Sequence, residues 1–141
     1  MKAIISALVL TATIARPDTA AADDPIGYLY SRHCSGCHGM EGTGSKIGRI
    51  PPFKGVVGKF VKSDEGRLYL VHVPGLANAA LSDEDTAKLL NYVLRTWGRP
   101  GGPTNASDFT PDEVHRLRSI HVDDVAALRR KLSKRDISAG Y

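Results

Sequence analysis

Apolar residues fall along this chain in three kinds of stretch. The first is a continuous run, Ala3 to Ala15, behind the basic start Met1-Lys2 and ahead of a small-residue stretch ending Ala20-Ala21-Ala22. That order of charge, apolar core and A-x-A site is the pattern of a secretory signal peptide. Its 13 residues fall short of the roughly 20 that span a bilayer, so cleavage after Ala22 is expected and a stable membrane anchor is not. The second kind is helical. Pro25 to His33 reads as a helix, and a stronger one follows Ser82. This serine is a good N-cap, and Asp83, Glu84 and Asp85 behind it suit the positive helix end. Leu90, Val93, Leu94 and Trp97 then recur at i, i+3, i+4 and i+7 as one apolar stripe, which Gly98 and Pro100 bring to an end. The third kind is a short, mostly apolar run, Tyr69 to Val73, which reads as an extended strand.

Past Arg99 the pattern breaks. Residues 100–107 (PGGPTNAS) are a linker by composition. A helix then starts with Thr110 as N-cap, Pro111 at the first helical position and Glu113 at the third, a capping box with proline in its favoured slot. Val114, Leu117 and Ile120 are expected to face inward. Another helix begins near Asp123, with Asp123 and Asp124 as caps and Val125, Leu128 and Leu132 at i, i+3 and i+7; its basic end suits the helix dipole. The chain thus divides into a signal peptide (1–22), one small domain (23–99) and a linker with a helical extension (100–141). Two short amphipathic helices are not stable alone, so they must pack on the domain or on a partner.

Composition adds little. The net charge of +4 becomes +3 once Lys2, Arg16 and Asp18 leave with the signal peptide, and so mixed a surface does not indicate a nucleic-acid partner. Six basic residues nevertheless fall close together: Lys46, Arg49, Lys54, Lys59, Lys62 and Arg67, against Asp64 and Glu65. Such a cluster either steers encounter with an acidic partner or is merely a solvated face.

The chemistry lies in Cys34-Ser35-Gly36-Cys37-His38, which holds the only two cysteines. A structural zinc site needs four ligands, usually two such pairs, and there is no second pair. A dithiol oxidoreductase places its pair at a strand-to-helix junction of a βαβ unit, whereas the residues before Cys34 read as helix. The third reading is haem attachment, of which C-x-x-C-H is the signature; a disulfide oxidoreductase without haem stands as a weaker alternative. Two thiols three positions apart sit on one turn and can reach the two vinyl groups on one porphyrin edge; the next residue lies under the iron, where its imidazole supplies the proximal bond.

From Pro25 to Trp97 the chain resembles the small class I c-type cytochromes. Tyr30 matches the aromatic of their first helix, and Gly39, Gly42 and Gly44 match the glycine-rich turn after the haem histidine. Pro51-Pro52-Phe53 resembles the segment whose backbone carbonyl accepts the Nδ1–H of the proximal histidine. The run Leu81 to Val93 resembles the last helix, which crosses the first, with Gly27 and Tyr92 at the crossing. The resemblance implies an all-α fold packed around one covalent haem c, with the two short C-terminal helices appended. A domain this small seldom buries enough apolar surface unaided, so fold and haem should depend on each other. It also implies a periplasmic carrier of single electrons, or the small haem subunit of a periplasmic dehydrogenase, rather than an enzyme. Its partners would be redox proteins, such as a periplasmic dehydrogenase on one side and an oxidase or another cytochrome on the other.

The chain departs from the family in its sixth ligand. Met1 leaves with the signal peptide, and Met40 lies two residues after His38, a reach of at most ~7 Å, too short to round the porphyrin. His72, ten residues before Ser82, lies roughly where the family's ligand loop runs and is the distal candidate. His115 and His121 would reach the iron only if the extension folded over the haem edge, and His33 points away. Without a protein ligand the iron would be open, with Leu76 and Asn78 lining its pocket. The chain would then be a haem enzyme or gas-binding protein.

Overall fold

The computed structural model describes residues 25–99, 102–103 and 105–138, so the expected signal peptide lies outside the described residues. All regular structure among them is helical, apart from an isolated bridge between Ser45 and Ile50, in agreement with an all-α fold. The helices are α1 (Pro25–His33), α2 (Ser35–His38), α3 (Val57–Phe60), α4 (Asp64–His72), α5 (Pro74–Ala77), α6 (Asp83–Trp97), α7 (Pro111–Arg118) and α8 (Val125–Ser138). None is long and apolar enough to cross a membrane.

The longest helix, α6, starts where its cap predicts: the Ser82 hydroxyl accepts the Asp85 N–H at 3.0 Å. Its inner face, with Ala87, Leu89, Leu90 and Val93, is buried. The first helix packs against it through Tyr30, 1% exposed, whose ring lies 5.6 Å from Tyr92 and 5.0 Å from Trp97. With Phe53 these rings form an aromatic knot at one end of the core.

Tyr69 to Val73 is not a strand. Residues 64–72 form α4, capped by Ser63, whose hydroxyl accepts the Gly66 N–H at 3.2 Å. A short apolar run does not by itself separate strand from helix. Here it is continuous because the helix is covered on most sides, with Tyr69, Leu70 and Val71 all buried. Ser63-Asp64-Glu65 carries the same start signal as Ser82-Asp83-Glu84.

The C-terminal extension packs on the domain, α7 against α6 and α4, and α8 against α4. Val114 and Leu117 face inward as their spacing requires, and Leu132 of α8 is buried. Ile120 does not face inward; it follows the end of α7 and is 40% exposed. Phe109, just ahead of α7, is buried instead.

Polar bonds fix this seam. Buried Asn91 donates from Nδ2 to the Phe109 carbonyl (2.9 Å), and its Oδ1 accepts the Phe109 N–H (2.8 Å). Arg118 donates to Asp83, to the Leu81 carbonyl and to Thr86 Oγ1. Lys131 and Arg135 hold Glu65. Arg67, 8% exposed, donates to both Glu113 oxygens at 2.6 Å and to the Ser107 carbonyl at 3.1 Å, with its guanidinium 3.8 Å above the Phe109 ring. Arg67 is therefore withdrawn from the surface cluster of cations. Thr110 caps α7 as expected, accepting the Glu113 N–H at 3.1 Å. The Glu113 carboxylate, the other half of the capping box, is taken by Arg67.

Candidate haem site

The backbone of α1 carries straight into the cysteine motif. Cys34 N–H donates to the Tyr30 carbonyl (2.9 Å), and the Cys37 and His38 N–H groups both donate to the Cys34 carbonyl (3.2 and 2.9 Å). The two cysteines thus lie on one helical turn, unbonded to each other, Cys34 half-buried and Cys37 exposed. Burial, helped by the neighbouring Cys37, pushes the Cys34 thiol up to about 11. A dithiol oxidoreductase needs a depressed thiol that is nucleophilic near neutral pH; Cys34 is shifted the opposite way. Among the described residues no group of three or more His, Cys, Asp and Glu side chains is placed to hold a metal ion.

The turn that follows is bolted to this motif. Gly44 N–H donates to the His38 carbonyl (2.9 Å), Phe53 N–H to the Gly42 carbonyl (2.8 Å), and the Tyr30 hydroxyl to the Gly39 carbonyl (2.5 Å). Gly44 has φ +71°, and a Cβ there would stand 2.3 Å from the Ile50 carbonyl oxygen and 2.7 Å from that of Pro51. Only glycine lets the proline segment come so close. That approach brings Phe53 onto His38, the rings stacked with centroids 3.9 Å apart and 16° between planes.

His38 bears on whether these residues suit a covalent haem. Burial lowers its pKa, against a smaller opposing pull from the Pro51 backbone. The ring is therefore kept neutral, the form that binds a metal. Its Nδ1 is buried, and the Pro51 backbone acts on it as a hydrogen-bond acceptor, short of full hydrogen-bond geometry. A half-buried, neutral imidazole whose Nδ1 faces Pro51, leaving Nε2 for a metal, next to two thiols on one turn, fits the group. Of the proline pair, Pro51 is half-buried and acts on His38, whereas Pro52 is exposed.

His72 is the last residue of α4, on a separate element from the motif. Its Nδ1 lies 3.0 Å from the Leu68 carbonyl. A carbonyl only accepts, so Nδ1 is the donor in this contact, and in the neutral ring the lone pair is on Nε2. Residues 73–82, between α4 and α6, offer no Met, His, Cys, Lys or Tyr. Leu76 in that stretch is buried and Asn78 exposed. His115 is paired with Asp83 and His121 with Asp123, both rings at the surface, while His33 is half-buried and Met40 is 57% exposed. Lys46, Arg49, Lys54, Lys59 and Lys62 lie on the surface. The residues unannounced by the sequence are Arg67, Asn91 and Phe109, whose partners lie 18 to 46 positions away.

No family model matches the chain. Two cytochrome c-552 sequences of Thermus thermophilus are each 31% identical to it over 119 positions; 70% of this chain matches 90% of one and 80% of the other. Cytochrome c55X of Paracoccus denitrificans is 29% identical over 98 positions, 67% of this chain and 93% of the relative. At that identity and coverage, with the two cysteines and the histidine on a single turn, the chain belongs to the c-type cytochromes, electron-transfer proteins that carry haem c.

Proposed function

We propose that this protein is an exported, periplasmic carrier of single electrons. It holds one haem c by thioether bonds at Cys34 and Cys37, with His38 as proximal and His72 as distal ligand. The observation that carries the reading is the His38 ring, kept neutral by burial beside two thiols on one turn, with its Nδ1 turned to Pro51. The group supplies a ferric–ferrous couple when bound. The polypeptide does the rest. Phe53 covers one face of His38, Pro51 is held near its Nδ1, and the Nε2 of His72 is the second nitrogen on offer. Imidazole donates more strongly to iron than a thioether does, so a His–His pair favours the ferric state and a lower potential than His–Met.

The partners fit the same picture. A periplasmic dehydrogenase would deliver electrons and a downstream oxidase or cytochrome would take them, each meeting the rim around exposed Cys37 and the basic residues 46–62. Such encounters are small and transient.

The ferrous absorption spectrum of the purified full-length protein, with and without carbon monoxide, tests this reading. A low-spin spectrum that carbon monoxide changes only slowly is expected, together with conversion to high spin in His72→Ala. An unchanged spectrum in that variant removes His72 from the iron. A second reading, a gas-binding protein or haem enzyme with an open distal site, draws on the lack of any strong ligand in residues 73–82. Rapid carbon monoxide binding by a high-spin wild-type protein would favour it.

A further inference from the structure

We infer that the C-terminal extension is a strap that holds α4 at the register in which His72 serves as distal ligand, and that Arg67 and Glu113 are its positioning residues. This rests on the reading of His72 given above. The argument begins with how α4 is covered. Arg67, Tyr69, Leu70 and Val71 are buried by protein, whereas Leu68 and His72, one turn apart and joined through the His72 Nδ1 contact to the Leu68 carbonyl, are only half-buried. The helix is thus enclosed by polypeptide on one side and leaves an imidazole-bearing strip open on another.

The enclosing side is gripped along its length. Glu65, in the first turn, is held by Lys131 and Arg135 of α8. Arg67 is held by both Glu113 oxygens, by the Ser107 carbonyl and by the Phe109 ring. Phe109 is in turn fixed to α6 by Asn91. The load therefore runs from α6 through Phe109 and α7 to α4. A helix nine residues long is stiff over that distance, so fixing Arg67 fixes where His72, five positions on, presents Nε2. Past His72 the chain turns at Val73 and Pro74 into α5, a helix of four residues, which offers far less of a grip than the strap.

The test uses the full-length holoprotein in four forms: wild type, His72→Ala, Arg67→Leu and the double variant. Glu113→Gln is added because it keeps the shape of the clasp should Arg67→Leu fail to fold. Carbon monoxide association to the ferrous protein reads how often the distal ligand leaves. Arg67→Leu and Glu113→Gln are expected to speed it, Arg67→Leu by about tenfold, the factor that ~1.4 kcal/mol of lost distal holding produces. The double variant should bind no faster than His72→Ala alone. If His72→Ala keeps the low-spin spectrum, the ligand reading falls and the strap inference with it. If His72→Ala turns high-spin while Arg67→Leu and Glu113→Gln bind at the wild-type rate, the strap inference is overturned and the ligand reading stands. A double variant faster than His72→Ala would show the clasp acting elsewhere, and equally overturn it.

Discussion

Replacing Asn91 by Leu should cost this protein more than its small change in volume implies. The residue is 7% exposed, and its amide satisfies both polar groups of the Phe109 backbone, at 2.8 and 2.9 Å. Leu makes neither bond. Phe109, 3% exposed, then keeps an N–H and a C=O without partners. Each buried group left so costs about 1–3 kcal/mol, partly offset by the added apolar contact of Leu, for a net loss of about 2–4 kcal/mol. For a chain of this length that lowers Tm by roughly 8–16 °C. Guanidinium unfolding of the oxidised holoprotein, followed by far-ultraviolet circular dichroism, measures it. Asn91→Asp keeps an acceptor but sets a buried carboxylate against the Phe109 carbonyl, so at neutral pH it should cost at least as much as Leu. A loss below ~1 kcal/mol for Asn91→Leu would refute the reasoning, because water or an alternative packing would then be supplying both bonds.

Two further outcomes follow from features of the site and the seam. Gly44→Ala places a Cβ within 2.7 Å of the Pro51 carbonyl oxygen at φ +71°, so a loss of at least ~1 kcal/mol is expected in thermal unfolding of the holoprotein; an unchanged Tm would mean that the proline segment yields freely. Glu65 has its pKa lowered, first by the hydrogen bond from Lys131 and then by the Arg135 guanidinium paired with it. A carboxylate depressed on folding contributes stability above its unfolded pKa, near 4.5, and loses it as pH falls through the lower folded value. Wild type should therefore be more stable than Glu65→Gln at neutral pH and approach it in acid, as paired pH-dependent unfolding curves would show.

Much of this arrangement is legible in local signals. Ser82 and Thr110 mark helix starts because a cap lies within three residues of the N–H it satisfies. The stripe of α6 is visible because its period is short, and the Cys-x-x-Cys-His turn because its chemistry is contiguous. What escapes is what depends on distance along the chain. Arg67 looks like one more surface cation until Glu113, 46 positions on, is seen against it. Phe109 looks like a lone aromatic between the linker and α7, since nothing near it in sequence reveals Asn91. The misreading of residues 69–73 has another cause. A helix buried on most sides loses the alternation that identifies it, and the Ser63 start signal carries the information instead. The stacking of Phe53 on His38 follows from the close approach allowed at Gly44, a three-dimensional fact without a pattern of its own.

The clasp at Arg67 also governs slippage. Aliphatic contacts such as those of Val114 and Leu117 are forgiving: shifted by one turn along its neighbour, α7 would exchange one hydrocarbon surface for another at modest loss. The guanidinium–carboxylate fork does not slide. Displaced by one turn, about 5.4 Å, Arg67 and Glu113 would each lose the partner of its charge in a largely buried seam, an error on the order of a few kcal/mol. The greasy contacts bring the tail down, and the ionic pin allows it a single seat.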